Sequence, residues 1–386
     1  MEFTLAKRLE GIGEYYFSQK LSEIAQLNKQ GEPVINLGIG SPDLPPHPHV
    51  ITALQEAAAR PDVHGYQSYR GAEVFRTAAA AWYRQWYGVD LDPSSEILPL
   101  MGSKEGIMHI CMTYLNEGDE VLVPNPGYPT YSSAVQLAGG RCREYVLRQE
   151  NGYYPDFMEM RYLDKVRMMF INYPHMPTGS AADKEWLGRI VGFAKDHGIL
   201  VVHDNPYSFI LNPEPMSIFS IPGAKEIAIE LNSLSKSHNM AGWRVGLLCG
   251  AAQRIEEVLR FKTNMDSGMF LPVQMAAAKA LSLDAGWYEG INAVYAQRRQ
   301  KAHELLYDLL KCEYDTGQQG LFLWAGLPSG YRDGFELSDV VLQSARVFIT
   351  PGGIFGSEGN RYIRISLCSP VERFEQAIQR IKEAGI

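Results

Sequence analysis

The stretch Ser233-Leu-Ser-Lys236-Ser-His-Asn-Met-Ala-Gly-Trp-Arg244-Val-Gly246 sets one lysine among small hydroxyl residues, just past the apolar run 226–231, with an arginine further along. A lysine amine so placed is either a solvent-facing charge or a covalent hook that forms a Schiff base with a carbonyl. Other segments supply what such a hook would serve. Asp204 and Tyr207 follow the apolar run 198–202, and Tyr128 ends Pro124-Asn-Pro-Gly-Tyr128 after the run 120–123. An arginine, Arg364, stands between isoleucines in Tyr362-Ile-Arg-Ile-Ser-Leu367.

The cofactor that exploits a lysine hook most fully is pyridoxal 5′-phosphate, which needs an aldehyde anchor, an anion at its ring nitrogen, donors for its phosphate and an aromatic face for its ring. Lys236 is the candidate anchor and Asp204 the candidate anion. Tyr207 can reach the ring's phenolic oxygen, and Tyr128 can stack on the ring. For the phosphate, Met101-Gly102-Ser103-Lys104-Glu-Gly106 opens an apolar-faced helix, whose first turn offers free N–H groups and a positive dipole end. Ser233, Ser235 and Arg244 would complete that cradle, the arginine by forked, charge-assisted bonds. Each residue has a plainer reading: Ser103 as a helix cap, Asp204 as a loop carboxylate, Tyr128 and Tyr207 as packed aromatics. For Arg364, alternation sets Tyr362, Arg364 and Ser366 on one strand face, and either a substrate carboxylate or an internal salt bridge would pair with it.

The elements that must position these residues read as an α/β fold with a mostly parallel central sheet covered by helices on both faces. Apolar runs at 120–123, 168–171, 198–202 and 226–231 each end in a polar loop, and helical stretches such as 183–197 lie between several of them. In such sheets ligands bind outside the carboxyl ends of the strands, which is where Tyr128, Asp204, Tyr207 and Lys236 fall. Residues 5–29 read as a helical N-terminal segment, followed by a short strand at 34–37 and the loop Gly38-Ile-Gly40-Ser-Pro-Asp43. That loop lacks the third glycine of a dinucleotide fingerprint, so a nicotinamide cofactor is not expected. Three parts are expected: residues 1–44 packing on a small domain, 45–285 as a large cofactor-binding domain, and 286–386 as a smaller α+β domain. The last helix is expected to open with a capping box at Ser369-Pro-Val-Glu372.

Composition narrows the partners. The chain has 386 residues with 36 basic against 44 acidic side chains, a net charge of −8, and no basic block that would track a phosphate backbone. Nucleic acid is therefore not expected. Five dispersed cysteines without a C-x-x-C pair argue for reduced thiols in a cytoplasmic setting, and no metal site is indicated by the histidines. No signal peptide or membrane-length apolar run is read.

These motifs resemble the class I/II, fold-type-I, pyridoxal-phosphate-dependent aminotransferases. The likeness runs through NLGIGSPD, YQSYRG, LMGSKEGI, VPNPGYPTY, HDNPY, SLSKSHNMAGWRVG and GNRYIRISL, and it looks nearest to the branch of LL-diaminopimelate and aspartate aminotransferases. The resemblance implies that Lys236 carries the Schiff-base link and shuttles the proton, that Asp204 pairs with the pyridinium, and that Tyr207 binds the phenolic oxygen. It implies that Gly102, Ser103, Lys104, Ser233, Ser235 and Arg244 surround the phosphate. Tyr128 would stack on the ring, and Arg364 would clamp the substrate carboxylate near Gly40. Tyr66 would cross to the phosphate of the other subunit, which makes a homodimer with shared sites. One position departs: the family usually has asparagine before Pro-Thr-Gly, and this chain has Met176. A thioether donates no hydrogen bond, so the lysine–cofactor nitrogen should hold its proton more tightly here.

The expected activity is transfer of an amino group from an L-amino acid to a 2-oxo acid. Two alternatives share the same cofactor residues: a β-elimination on the same fold, and a cofactor-binding protein with little turnover. A dicarboxylic or diaminodicarboxylic donor is the expectation from the branch resemblance, with aromatic and methionine donors open.

Overall fold

The computed structural model describes residues 3–31 and 33–386. Twelve short strands run in chain order: β1 (Ile35–Asn36), β2 (Ile97–Leu100), β3 (Glu120–Asn125), β4 (Arg141–Val146), β5 (Val166–Ile171) and β6 (Leu200–Asp204), then β7 (Ala228–Ser233), β8 (Gly246–Gly250), β9 (Phe322–Gly326), β10 (Val347–Phe348), β11 (Thr350–Pro351) and β12 (Tyr362–Ser366). Seven of them form the central sheet in the order β2-β8-β7-β6-β5-β3-β4. Every pairing from β7 to β4 is parallel, and β8 alone runs against its two neighbours. The expected parallel α/β sheet is therefore present.

Its inner strands are largely apolar because both faces are covered. Val121 and Val123 pack with Ile107 and Ile110 of one helical layer, whereas Leu122 between them packs with Leu187 and Ile190 of the other. Period-2 alternation thus sends successive residues of one strand into two different cores. Helices α1 (Tyr16–Lys29), α2 (Pro48–Ala58), α3 (Glu73–Tyr87), α4 (Ser103–Tyr114), α5 (Pro129–Leu137) and α6 (Lys184–His197) precede the midpoint of the sheet in sequence. The Asp183 side chain accepts from the Trp186 amide to cap α6, and Gly198 ends that helix at φ +64°.

A third core, which also takes in Phe75 and Trp82 of α3, gathers around the antiparallel sheet β11-β12-β9 and the helices Ala285–His303, Gly334–Ala345 and Val371–Glu383, with Trp324, Ile363, Leu337 and Phe374 buried in it. Residues 347–351 form two short strands with different partners: β10 pairs in parallel with β1, whereas β11 pairs with β12. This ties the N-terminal chain to the C-terminal third.

Three local expectations are corrected. The N-terminal segment is helical only over Tyr16–Lys29, with a short 3-10 turn at Lys7–Leu9, because Gly11 adopts φ +80° and interrupts the chain. The run before the lysine is a short helix, Ala224–Ile227, before it becomes β7. The last helix has no capping box: it starts at Val371, Pro370 occupies the cap position, and the Ser369 hydroxyl bonds to the Asn36 carbonyl 3.2 Å away. Among the described residues no helix is long and apolar enough to cross a membrane, and the five cysteines are unpaired.

Candidate active site

The register of the sheet sets the site. Asp204 ends β6 beside Leu231 of β7, and Ser233 ends β7 opposite Gly246, where β8 begins. Asn172 follows β5, and Tyr128 lies three residues beyond β3. All open at one edge of the sheet, above a cavity of about 530 Å³ lined by Lys236, Asp204, Tyr207, Tyr128, Ser103, Lys104, Ser233, Ser235, Arg244, Gly40 and Arg364.

Lys236 sits on the four-residue helix Leu234–Ser237, which Ser233 caps by accepting from the Ser235 amide at 3.2 Å. Its Nζ donates to the Gly40 carbonyl. Burial pushes the amine's pKa below the ordinary lysine value, and Arg364 and Arg244 push the same way. A larger neutral fraction is what a nucleophilic amine needs.

Asp204 is buried, and its Oδ2 accepts from the Tyr131 hydroxyl at 3.0 Å while Oδ1 has no partner among the described residues. Burial raises this carboxyl to about 6, with Tyr131 and His203 opposing. A buried carboxylate oxygen without a donor is costly, and a protonated ring nitrogen is a group that would satisfy it. Tyr131 was not legible as a site residue: it lies on α5, stacked on Phe170 with centroids 4.7 Å apart. Asn172 was also missed, although it opens the Asn-Tyr-Pro motif. Its Nδ2 donates to the Asp204 carbonyl, and its Oδ1 accepts from the Met176 amide at 2.7 Å.

The N-terminus of α4 forms the opposite wall. Gly102 caps the helix at φ +88°, and a Cβ there would lie 2.3 Å from Arg244 Nη2, so only glycine leaves the guanidinium its place. Gly102 does not itself line the cavity; it stands behind Arg244. Arg244 adopts φ +55°, uncommon for a residue with a side chain, and its Nη1 bonds to the Ala241 carbonyl at 2.9 Å. Gly246 brings β8 against the first turn of α4, where a Cβ would meet the Ser103 amide nitrogen at 2.8 Å. Lys104 lies with its Nζ 4.8 Å from the centroid of the Tyr15 ring, and burial and Arg244 both push its pKa down. Free amides of a helix start, the three hydroxyls of Ser103, Ser233 and Ser235, and the cations Lys104 and Arg244 are the makings of an anion cradle.

Arg364 is buried on β12. Its Nη2 donates to the Gly38 carbonyl at 2.7 Å, its Nη1 lies 3.3 Å from Met176 Sδ, and its Nε has no partner among the described residues. Among the described residues no carboxylate pairs with it. The guanidinium is instead boxed by aromatic rings, with Phe322 at 3.9 Å, Phe355 at 4.6 Å and Phe17 at 5.4 Å from their centroids. Burial holds its pKa down at about 10. Tyr207 is buried beside it, edge-on to Phe322, and burial raises its phenol well above the ordinary value.

Besides Gly102, Tyr66 is an expected site residue that does not line the cavity. It is 94% exposed and stands with His64 and Phe270 on a separate surface hollow. The donors, the orphaned oxygen of Asp204 and the buried amine fit pyridoxal phosphate.

A family model described as aminotransferase class I and II matches residues 32–381. LL-diaminopimelate aminotransferase of Desulforudis audaxviator is 40% identical over 386 residues, covering 99% of this chain and 98% of that protein. Transaminase BacF of Bacillus subtilis is 37% identical over 389 residues, covering 100% and 98%. The solved structure of BacF without ligand superposes with a TM-score of 0.96 at 36% identity, covering 100% of this chain and 99% of that one. The chain belongs to the class I and II aminotransferases, enzymes that use pyridoxal phosphate to move an amino group between an amino acid and a 2-oxo acid.

Proposed function

We propose that the cavity at the sheet's edge is the transamination site, with Lys236 as the anchor and proton carrier, Asp204 as the partner of the ring nitrogen, and Arg364 as the clamp on the substrate carboxylate. The observation that carries this reading is the pair of buried, unpartnered atoms, Asp204 Oδ1 and Arg364 Nε, in one cavity with a buried lysine amine. When bound, the cofactor supplies the electron sink that lowers the cost of breaking the substrate's Cα–H bond. Lys236 Nζ, buried and with its pKa lowered, would take up and give back the donor's Cα proton. Asp204 Oδ1 would face a protonated ring nitrogen, and Tyr207 would donate to the phenolic oxygen. The α4 amides, Ser103, Ser233, Ser235, Lys104 and Arg244 hold the phosphate, with Gly102 leaving room for Arg244. Tyr128 covers the ring, and Gly40 supports the lysine through its carbonyl.

We infer further that the enzyme works as a homodimer in which Tyr66 reaches the partner's phosphate. Its exposure beside exposed Phe270 supports this, because clustered exposed apolar residues mark association surfaces. A division into residues 1–44, 45–285 and 286–386, and a cytoplasmic location, complete the reading. The test is covalent: reduce the cofactor-loaded protein with borohydride, digest it and map the modified peptide. Modification of Lys236 alone is expected; modification of Lys104 or another lysine instead contradicts the assignment.

A further inference from the structure

Two buried polar side chains fasten the segment that carries Tyr66 to the chain around residue 268. Residues 65–72 contain neither helix nor strand, so bonds from elsewhere must hold them. Lys262, at the end of the helix Ala252–Lys262, is 1% exposed. Its Nζ donates to Asp266 Oδ1 at 2.8 Å and to the Tyr69 carbonyl at 3.4 Å. The same carboxylate oxygen accepts from the Gly268 amide at 3.0 Å. Gln274, buried on the helix Leu271–Leu281, accepts from the Ala72 amide at 2.6 Å and donates to the Met269 carbonyl at 2.7 Å. Gly268 closes the seam: at φ +86° it lies so near that a Cβ would stand 2.6 Å from the Gln67 carbonyl oxygen. Each of the two side chains thus joins a main-chain atom of residues 69–72 to residues 266–269. Burying an ion pair seldom adds stability over an apolar pair of like volume, so fixed geometry is the better account of Lys262. Tyr66 projects from this fastened base, 94% exposed.

We infer that Lys262 and Gln274 are positioning residues for Tyr66, holding its segment in the conformation that carries the hydroxyl to the phosphate of the partner subunit. This rests on the reading of Tyr66 proposed above. The lysine's carboxylate partner also adjoins its own protomer's cradle. Asp266, Glu105 and His109 each place a side-chain O or N atom within 4.8 Å of the others, and Glu105 Oε2 accepts from the Met101 amide at 2.8 Å, beside the first turn of α4. A purely local role for Lys262 would therefore act on its own protomer's site, whereas a role through Tyr66 acts on the partner's.

Hybrid dimers purified through two different affinity tags separate these roles. One subunit carries Lys236→Ala, so only the other site forms the lysine–cofactor link, and its absorbance reports cofactor binding at that site alone. With Lys262→Met or Gln274→Leu added to the Lys236→Ala subunit, the native subunit's site is expected to bind cofactor about tenfold more weakly, the effect of losing one bond to a charged group. With Lys262→Met moved to the subunit that keeps Lys236, and an intact segment on the Lys236→Ala subunit, native affinity is expected. Native affinity in the first hybrid, or weakened affinity in the second, overturns the inference. Adding Tyr66→Phe to the variant subunit of the first hybrid is expected to bring no further loss, whereas additive losses contradict action through Tyr66. Lys262→Met combined with Asp266→Leu removes both charges and replaces the single variant if an unpaired Asp266 prevents folding. Failure of the underlying reading looks different: Tyr66→Phe alone, placed in the Lys236→Ala subunit, would leave the native site's affinity unchanged.

Discussion

Nη1 of Arg364 lies 3.3 Å from Sδ of Met176, the residue before Pro-Thr-Gly where the family resemblance of the sequence leads one to expect asparagine. A thioether is a weak acceptor and no donor, so this residue neither strengthens the arginine's charge balance nor donates to a cofactor oxygen. Restoring an amide donor in Met176→Asn should stabilise the phenolic oxygen's anion and weaken the hold of the lysine–cofactor nitrogen on its proton. The pKa read from the absorbance of the lysine-bound cofactor is expected to fall by about 1–2 units. An unchanged or raised value refutes the role given to this position.

Asp204 gives a pH signature in the cofactor-free protein. Its carboxyl is raised from 3.8 to about 6, chiefly by burial. Between those values the native state binds more protons than the unfolded chain, so the stability this group contributes falls as pH rises through the window. The full change is about 3 kcal/mol. Unfolding free energies of the native sequence and Asp204→Asn, measured across that window, should diverge by this order, the native sequence losing stability relative to the variant. Parallel profiles contradict the assignment.

Tyr131 positions Asp204 through the 3.0 Å bond to Oδ2. Tyr131→Phe removes the donor and is expected to weaken cofactor binding about tenfold, since one such bond is worth roughly 1 kcal/mol or more when its acceptor is charged. A purely packing role would change thermal stability and leave the cofactor titration where it was.

Shared sites can be read from hybrids. Lys236→Ala and Tyr66→Phe subunits, mixed after partial denaturation, should give dimers in which one of two sites regains native cofactor affinity. Hybrids no better than the parent variants would place Tyr66 outside the partner's site.

The strands that end at the site were legible because each is an apolar run closed by a polar loop, as in Val121–Val123 and Val201–Asp204. Others were hidden for physical reasons. β4 is an edge strand, Arg141-Cys-Arg-Glu-Tyr-Val, polar because one side of it faces solvent, and β2 carries Pro99. β8 is framed by glycines, Gly246 and Gly250, of which Gly246 is needed for its approach to α4. The residues proposed to hold the cofactor could be picked out from strand ends and motif spacing, and most of them line one cavity. The box around Arg364 did not, because Phe17, Phe322 and Phe355 come from α1, β9 and a 3-10 turn that only the fold brings together. Tyr131 escaped for a similar reason: its hydroxyl reaches Asp204 from a helix across the sheet.

The central claim is that this cavity moves an amino group from a donor onto a lysine-anchored cofactor and releases the donor's 2-oxo acid. The most direct measurement is a single turnover without acceptor: mix the loaded protein with an excess of an L-amino acid that alters its absorbance, quench, and quantify cofactor form, oxo acid and ammonia. One equivalent of aminated cofactor and one of the 2-oxo acid per site, with no ammonia, is the predicted result. Ammonia release with the cofactor still in its aldehyde form would contradict it.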